Sequence, residues 1–166
     1  MSFETELVQF VNSRPSFYNP IVEALTVVLG SAPDPTDVSV KSRLCYGAGP
    51  NNVGNIPYLV WTGPTSYEPG NYSGGALTQK KARYWFTVYT EYLDDAINWI
   101  NAIEQDMNTL FVPGYFFDLT TCRITQMIQE PFSKSSAMGD QTQRTGAEFP
   151  NTGATISYVI GWQNAS

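Results

Sequence analysis

The chain has 166 residues, enough to bury about 70 % of its extended surface, so residues 1–166 are expected to form a single domain with its own core. The net charge is −6, and the nine basic residues are spread from Arg14 to Arg144. Tight nucleic-acid binding needs basic groups gathered on one face, and that balance argues against it. No His is present, which excludes Ser-His-Asp and Cys-His catalysis, His general acid/base work and the commonest zinc sites.

Phe3, Leu7, Phe10 and Val11 recur at helical spacing behind Ser2, a good N-cap. Pro15 closes that pattern. Asn19-Pro20 then reads as N-cap and first helical position, followed by Ile21, Ala24, Leu25, Val28 and Leu29, with Gly30 as terminator. "VSVKSRLCYG" (38–47) alternates and reads as a strand, with Val40, Ser42, Leu44 and Tyr46 on one face. "IPYLVWTG" (56–63) is a short apolar strand with Pro57 acceptably near its start.

The Pro-, Gly- and Ser-rich run 64–79 is too long for a tight hairpin and reads as a β-arm or a mobile loop. "KKARYWFTVYTEY" (80–92) then places Ala82, Tyr84, Phe86, Val88 and Thr90 on one face of a strand, the core face. Arg83, Trp85, Thr87, Tyr89 and Glu91 form an amphipathic second face that a partner or a loop is expected to cover. In "YLDDAINWINAIEQDMNTL", Leu93, Ala96, Ile97, Ile100, Ile103, Met107 and Leu110 make one apolar helical stripe, with Trp99 at its edge. Asp94 and Asp95 sit where the helix dipole favours anions.

"LTTCRITQMIQ" (119–129) alternates, setting Cys122, Ile124, Gln126 and Ile128 against Arg123, Thr125 and Met127. Residues 130–153 form a long polar segment, and "ATISYVIGW" (154–162) is the last strand. The order α-α-β-β-β-α-β-β implies an α+β two-layer sandwich. Its sheet is expected to be mostly antiparallel with about five strands, carrying one main helix and an N-terminal helical segment.

Charged residues and aromatics each make up 14 % of the chain, a low-charge, aromatic-rich balance that suits a surface covered by other subunits. Cys45 and Cys122 read as small apolar residues with free thiols. No P-loop, GxGxxG, HExxH or CxxC occurs. Adjacent Asp94 and Asp95 point about 100° apart on a helix and do not converge on one ligand. No catalytic residue, cofactor or metal is therefore expected. No apolar run of about 18 residues occurs either, so no membrane span is expected. "RYWFTVYTEY" shares the aromatics of an RNA-binding sheet motif but none of its glycines.

The order of parts resembles the tail terminator (tail completion) proteins of long-tailed bacteriophages over roughly residues 3–162. It rests on the N-terminal helical segment, "VKSRLCYG", "PNNVGNIPYLVW", a Gly/Ser-rich connection, "KKARYWFTVYTEYLDDAINWINAI", and two terminal strands around a polar loop. The chain departs from a minimal member in its Pro-broken N-terminal segment and its extended 130–153 loop.

The resemblance implies a non-catalytic virion protein of the head-tail neck, assembled in the host cytoplasm as a homo-oligomer, a hexameric ring. Such a ring caps the tail tube, stops its polymerisation and meets the head connector or stopper protein. DNA passes through the lumen without specific binding. Interface residues implied in the two arms are Tyr67 and Tyr72 (64–79) and Phe132 and Phe149 (130–153). Arg83, Trp85 and Tyr89 join them from the second face of the long strand. The alternatives are a head-completion or tail-tube-like subunit, or a carbohydrate- or ligand-binding module using Trp61, Trp85, Trp99 and Trp162.

Overall fold

Three helical pieces open the chain, each with a local cause. A computed structural model describes residues 2–50, 56–64, 67–68, 72–73, 76–77, 80–112, 114–130, 134–138 and 152–164. Helix α1 (Phe3–Ser13) is capped by Ser2, whose hydroxyl accepts the Thr5 N–H at 3.2 Å. Helix α2 (Pro15–Leu29) starts at Pro15, not at Pro20. Pro15 takes the first helical position, where a missing N–H costs nothing, and Pro20 lies inside the helix at the loss of one backbone bond. Gly30 ends α2 in the left-handed conformation, φ 80°, its N–H bonded to Thr26 O. The expected strand over 38–47 is mostly absent. Residues Val38–Lys41 form one helical turn, α3, held by Val40 and Lys41 N–H bonds to Asp37 O, and it buries Val40. Only Leu44–Tyr46, β1, is extended.

The strands follow as β2 (Tyr58–Thr62), β3 (Tyr67–Glu68), β4 (Tyr72–Ser73), β5 (Ala76–Leu77) and β6 (Lys80–Thr90). Helix α4 (Leu93–Leu110) comes next, then β7 (Phe117–Asp118), β8 (Cys122–Gln129), β9 (Ser135–Met138) and β10 (Thr152–Asn164). The sheet runs β1-β2-β6-β10-β8-β7. β6 and β10 are its spine, antiparallel from Lys80↔Trp162 to Thr90↔Thr152. β3 continues beside β6 past β2, and β9 beside β10 past β8. β1 and β2 pair in parallel, and the other described pairings are antiparallel. β4 and β5 form a separate ribbon.

The class is α+β, as expected. The curled sheet path holds six strands, not five. The addition is β7, two residues turned back on β8 and too short to show periodicity in the sequence.

The core lies between the helices and one sheet face. Ala82, Tyr84, Phe86 and Val88 of β6 are buried with Ala154, Ile156, Tyr158 and Ile160 of β10, as the alternation required. Phe3 stacks on Trp162 at 4.0 Å, and the Phe17 ring lies 5.5 Å from Phe86. Trp99, at the edge of the α4 stripe, is nonetheless 1 % exposed, buried with Ala96, Ile100, Ile103 and Met107. Asp106 of α4 accepts from Arg14 and from Ser16 Oγ (2.6 Å), fixing the corner between α1 and α2.

A bulge resets β8. Gly161 faces Gln126 but Trp162 faces Ile124, so Thr125 is the extra residue. Beyond it the phase inverts: Met127 points into the core with Cys122 and Ile124, while Ile128 is 52 % exposed. Strict alternation placed Met127 and Gln126 the other way round. A buried carboxylate ties α1 to the start of this strand. Glu6, fully buried, accepts the Thr121 N–H at 2.5 Å and the Thr121 hydroxyl at 2.7 Å.

Candidate functional site

The helices leave the other sheet face uncovered by any described helix, and the odd residues of β6 stand on it. Arg83, Trp85, Thr87 and Tyr89 are each half-buried there. Their cross-strand partners come from β2 on one side, Tyr58, Val60 and Thr62, and from β10 on the other, Gly153, Thr155, Ser157 and Val159.

The aromatic end is tightly made. Tyr89 stacks on Tyr58 with ring centroids 5.0 Å apart and planes at 28°. Gly153 lies opposite Tyr89, and a Cβ there would come within 3.0 Å of Val88 O and 3.4 Å of the Tyr89 ring. The missing side chain lets that ring lie across the neighbouring strand. Burial pushes the Tyr58 hydroxyl pKa up to about 12, with Tyr89 and Cys45 adding to it. It is a neutral contact group at physiological pH. In the middle of the face, Thr87 and Thr155 share a hydroxyl hydrogen bond of 2.8 Å across the strands.

The polar end is neutralised. Arg83 donates its Nε–H to Glu130 Oε1, and Ser157 Oγ donates to the same oxygen. The Arg83 hydrogen bond holds the Glu130 carboxyl below its ordinary range, Ser157 contributes too, and burial opposes both. The face therefore combines aromatic rings, hydroxyls, the closed Arg83–Glu130 pair and, at its end, Lys81. That chemistry suits contact with another protein surface.

Of the interface residues expected from the sequence, Arg83, Trp85 and Tyr89 are brought together on this face. Tyr67 and Tyr72 fall in β3 and β4, where the backbone pairs with Ala82 and Leu77 respectively. Phe132 and Phe149 lie outside the described residues, as do most of 64–79 and 130–153. Trp61, Trp99 and Trp162 are buried at 1, 1 and 5 % exposure, so of the four tryptophans only Trp85 offers surface for a sugar to stack on.

Glu130 and Ser157 were missed by the sequence reading. Neither belongs to a local pattern, and both reach Arg83 only through the β8-β10-β6 pairing. Cys45 and Cys122 are free, and burial raises both thiol pKa values, which disfavours the thiolate. Among the described residues no group of three or more Cys, Asp or Glu side chains could hold a metal, and no helix is long and apolar enough to cross a membrane.

Compared with known proteins, the chain matches no protein-family model and no curated sequence.

Proposed function

We propose that the chain is a structural subunit without catalysis, an α+β two-layer building block of a tail-terminator-like ring at the neck of a phage virion. The ring caps the tail tube, stops its growth and meets the head connector, and DNA passes through its lumen. The observation that carries this reading is the helix-free sheet face, where Arg83, Trp85 and Tyr89 stand half-buried beside a closed Arg83–Glu130 pair. An aromatic surface whose one carboxylate, Glu130, is closed by Arg83 suits repeated contact between copies, because it adds no like-charge repulsion to subunits that each carry −6. The order of elements supports it as well. The described parts of the two long connections, β3 and β9, each pair with the first residues of a spine strand.

Light scattering behind size-exclusion chromatography, followed by electron microscopy with purified tail tubes, tests the proposal. Rings in solution or at tube ends are expected, and Trp85→Glu should abolish them while leaving the circular dichroism spectrum unchanged. A strict monomer at every concentration, with bare tube ends, overturns it.

A further inference from the structure

Residues of α2 and α4, with Ile56, Pro57, Thr90, Glu91 and Tyr92, line a cleft of about 640 Å³. Ser16, in its lining, is held by its Oγ–H bond to Asp106. Three carboxylates line it, Glu23 from α2, Glu91 from the turn after β6 and Asp95 from the first turn of α4. No Lys or Arg lines it among the described residues, and none of the three carboxylates has an ion-pair partner among them. Trp99 forms part of the same wall. Its side chain is 1 % exposed and its buried indole N–H has no hydrogen-bond acceptor among the described residues. Val27, which lines the cleft, is 85 % exposed, and Val28 and Leu29 after it are 78 and 59 % exposed, three consecutive apolar residues on the surface.

We propose that this cleft docks a Lys- or Arg-bearing peptide segment of a partner protein. The three observations ask for different things of one occupant. Carboxylates sharing a cleft with no counter-charge favour a cation. An indole N–H without an acceptor, costly to leave unpaired, favours a carbonyl oxygen. The exposed valines and leucine favour an aliphatic stem or an apolar neighbour. A basic residue within a peptide supplies all three: ammonium or guanidinium head, hydrocarbon stem and backbone C=O. A polyamine lacks the acceptor, and a phosphate or nucleic-acid backbone carries the wrong sign. A second copy of this chain would bring a −6 protein to an acidic cleft.

The test uses the full ¹⁵N-labelled chain and the probes N-acetyl-arginine amide, N-acetyl-norleucine amide and N-acetyl-glutamate amide. Trp99→Phe assigns the Trp99 indole signal as the one lost among four, and the three that remain report an intact fold. The Trp99 signal is expected to move with the arginine compound, saturating in the millimolar range for so small a ligand. It should stay still with the glutamate compound. Glu23→Gln and Asp95→Asn should each weaken binding by about fivefold, whereas Asp94→Asn, outside the cleft, should not. An unmoved Trp99 signal overturns the proposal. So does an equal response to norleucine, which would leave only an apolar hole. A Trp99 signal that depends on protein concentration, with a dimer in light scattering and no competition by the arginine compound, makes the occupant a second copy and also defeats it.

Discussion

Replacing Glu6 by Gln tests whether a buried charge holds α1 onto the sheet. In the native protein the Glu6 carboxylate is fully buried and accepts from the Thr121 N–H and hydroxyl. Burial alone would raise its pKa, but the hydrogen bonds from Cys122 and Thr121 together outweigh that and hold it below the ordinary value of 4.5. Gln keeps the shape but turns one acceptor into a donor facing a donor. A hydrogen bond to a charged group contributes about 1.5–3 kcal/mol, and an orphaned buried donor costs about 1–3 kcal/mol, so a loss of about 3 kcal/mol is expected. For a chain of this length that is a fall of about 6–12 °C in Tm. Thr121→Val removes only the hydroxyl bond to that carboxylate and should cost about 1.5–3 kcal/mol.

The pH dependence has a definite sign. A depressed folded pKa stabilises the fold above the unfolded value and loses that contribution as pH falls through the folded value. The gap in Tm between the native protein and Glu6→Gln, read by circular dichroism, should therefore hold from pH 7 to about 5 and narrow below about 4.5. A gap of zero at pH 7, or one that widens in acid, would mean that Glu6 is buried neutral and would refute the reasoning.

The β8 bulge makes a paired prediction: Met127→Ala should cost about 2–5 kcal/mol in urea denaturation and Ile128→Thr less than about 0.5 kcal/mol, the reverse of what unbroken alternation implies. Two glycines separate backbone strain from collision. Gly30→Ala has nothing within 4 Å of its new Cβ and only the left-handed φ to bear, so about 1 kcal/mol is expected. Gly63→Ala, at φ 148°, would set its Cβ 2.5 Å from the Tyr84 ring and 2.8 Å from Arg83 O, and unfolding at or below room temperature is the expected readout. Equal Tm values for the two variants would show that the β2 end yields more readily than its packing implies.

Where the sequence carried long periodic runs, the fold was legible. The β6 alternation named the core face residue by residue, and α4 was found to within a residue because eighteen positions repeat one stripe. Trp99 lies at the edge of the stripe, as its spacing implied, but is as buried as the middle because α2 and the sheet both pack on α4. The 38–47 segment alternates, yet four residues of it close a helical turn on Asp37, a local backbone preference that no side-chain pattern reveals. The phase of β8 depends on one inserted residue, which periodicity cannot locate. The candidate face was half legible. Arg83, Trp85 and Tyr89 share a strand and could be read together, whereas Glu130 and Ser157 join them only through pairing between distant segments.

The two surfaces differ in what each would tolerate as a partner, and electrostatics assigns them. Arg14, Arg83, Arg123 and Lys134 are all spent in ion pairs, so the charge left to act at a distance is predominantly acidic. Identical copies repel through that field, and the repulsion is weakest where the contact is neutral and aromatic, on the Trp85–Tyr89 face. The α2–α4 cleft concentrates the field instead, with Glu23, Glu91 and Asp95 around one space. Exchanging the roles would press carboxylates against an acidic twin and set a basic partner on a face whose only ion pair is closed. High salt should therefore separate the proposed contacts: screening strengthens association between copies and weakens the hold of the cleft on N-acetyl-arginine amide. If both respond to salt in the same direction, the assignment of partners to surfaces fails.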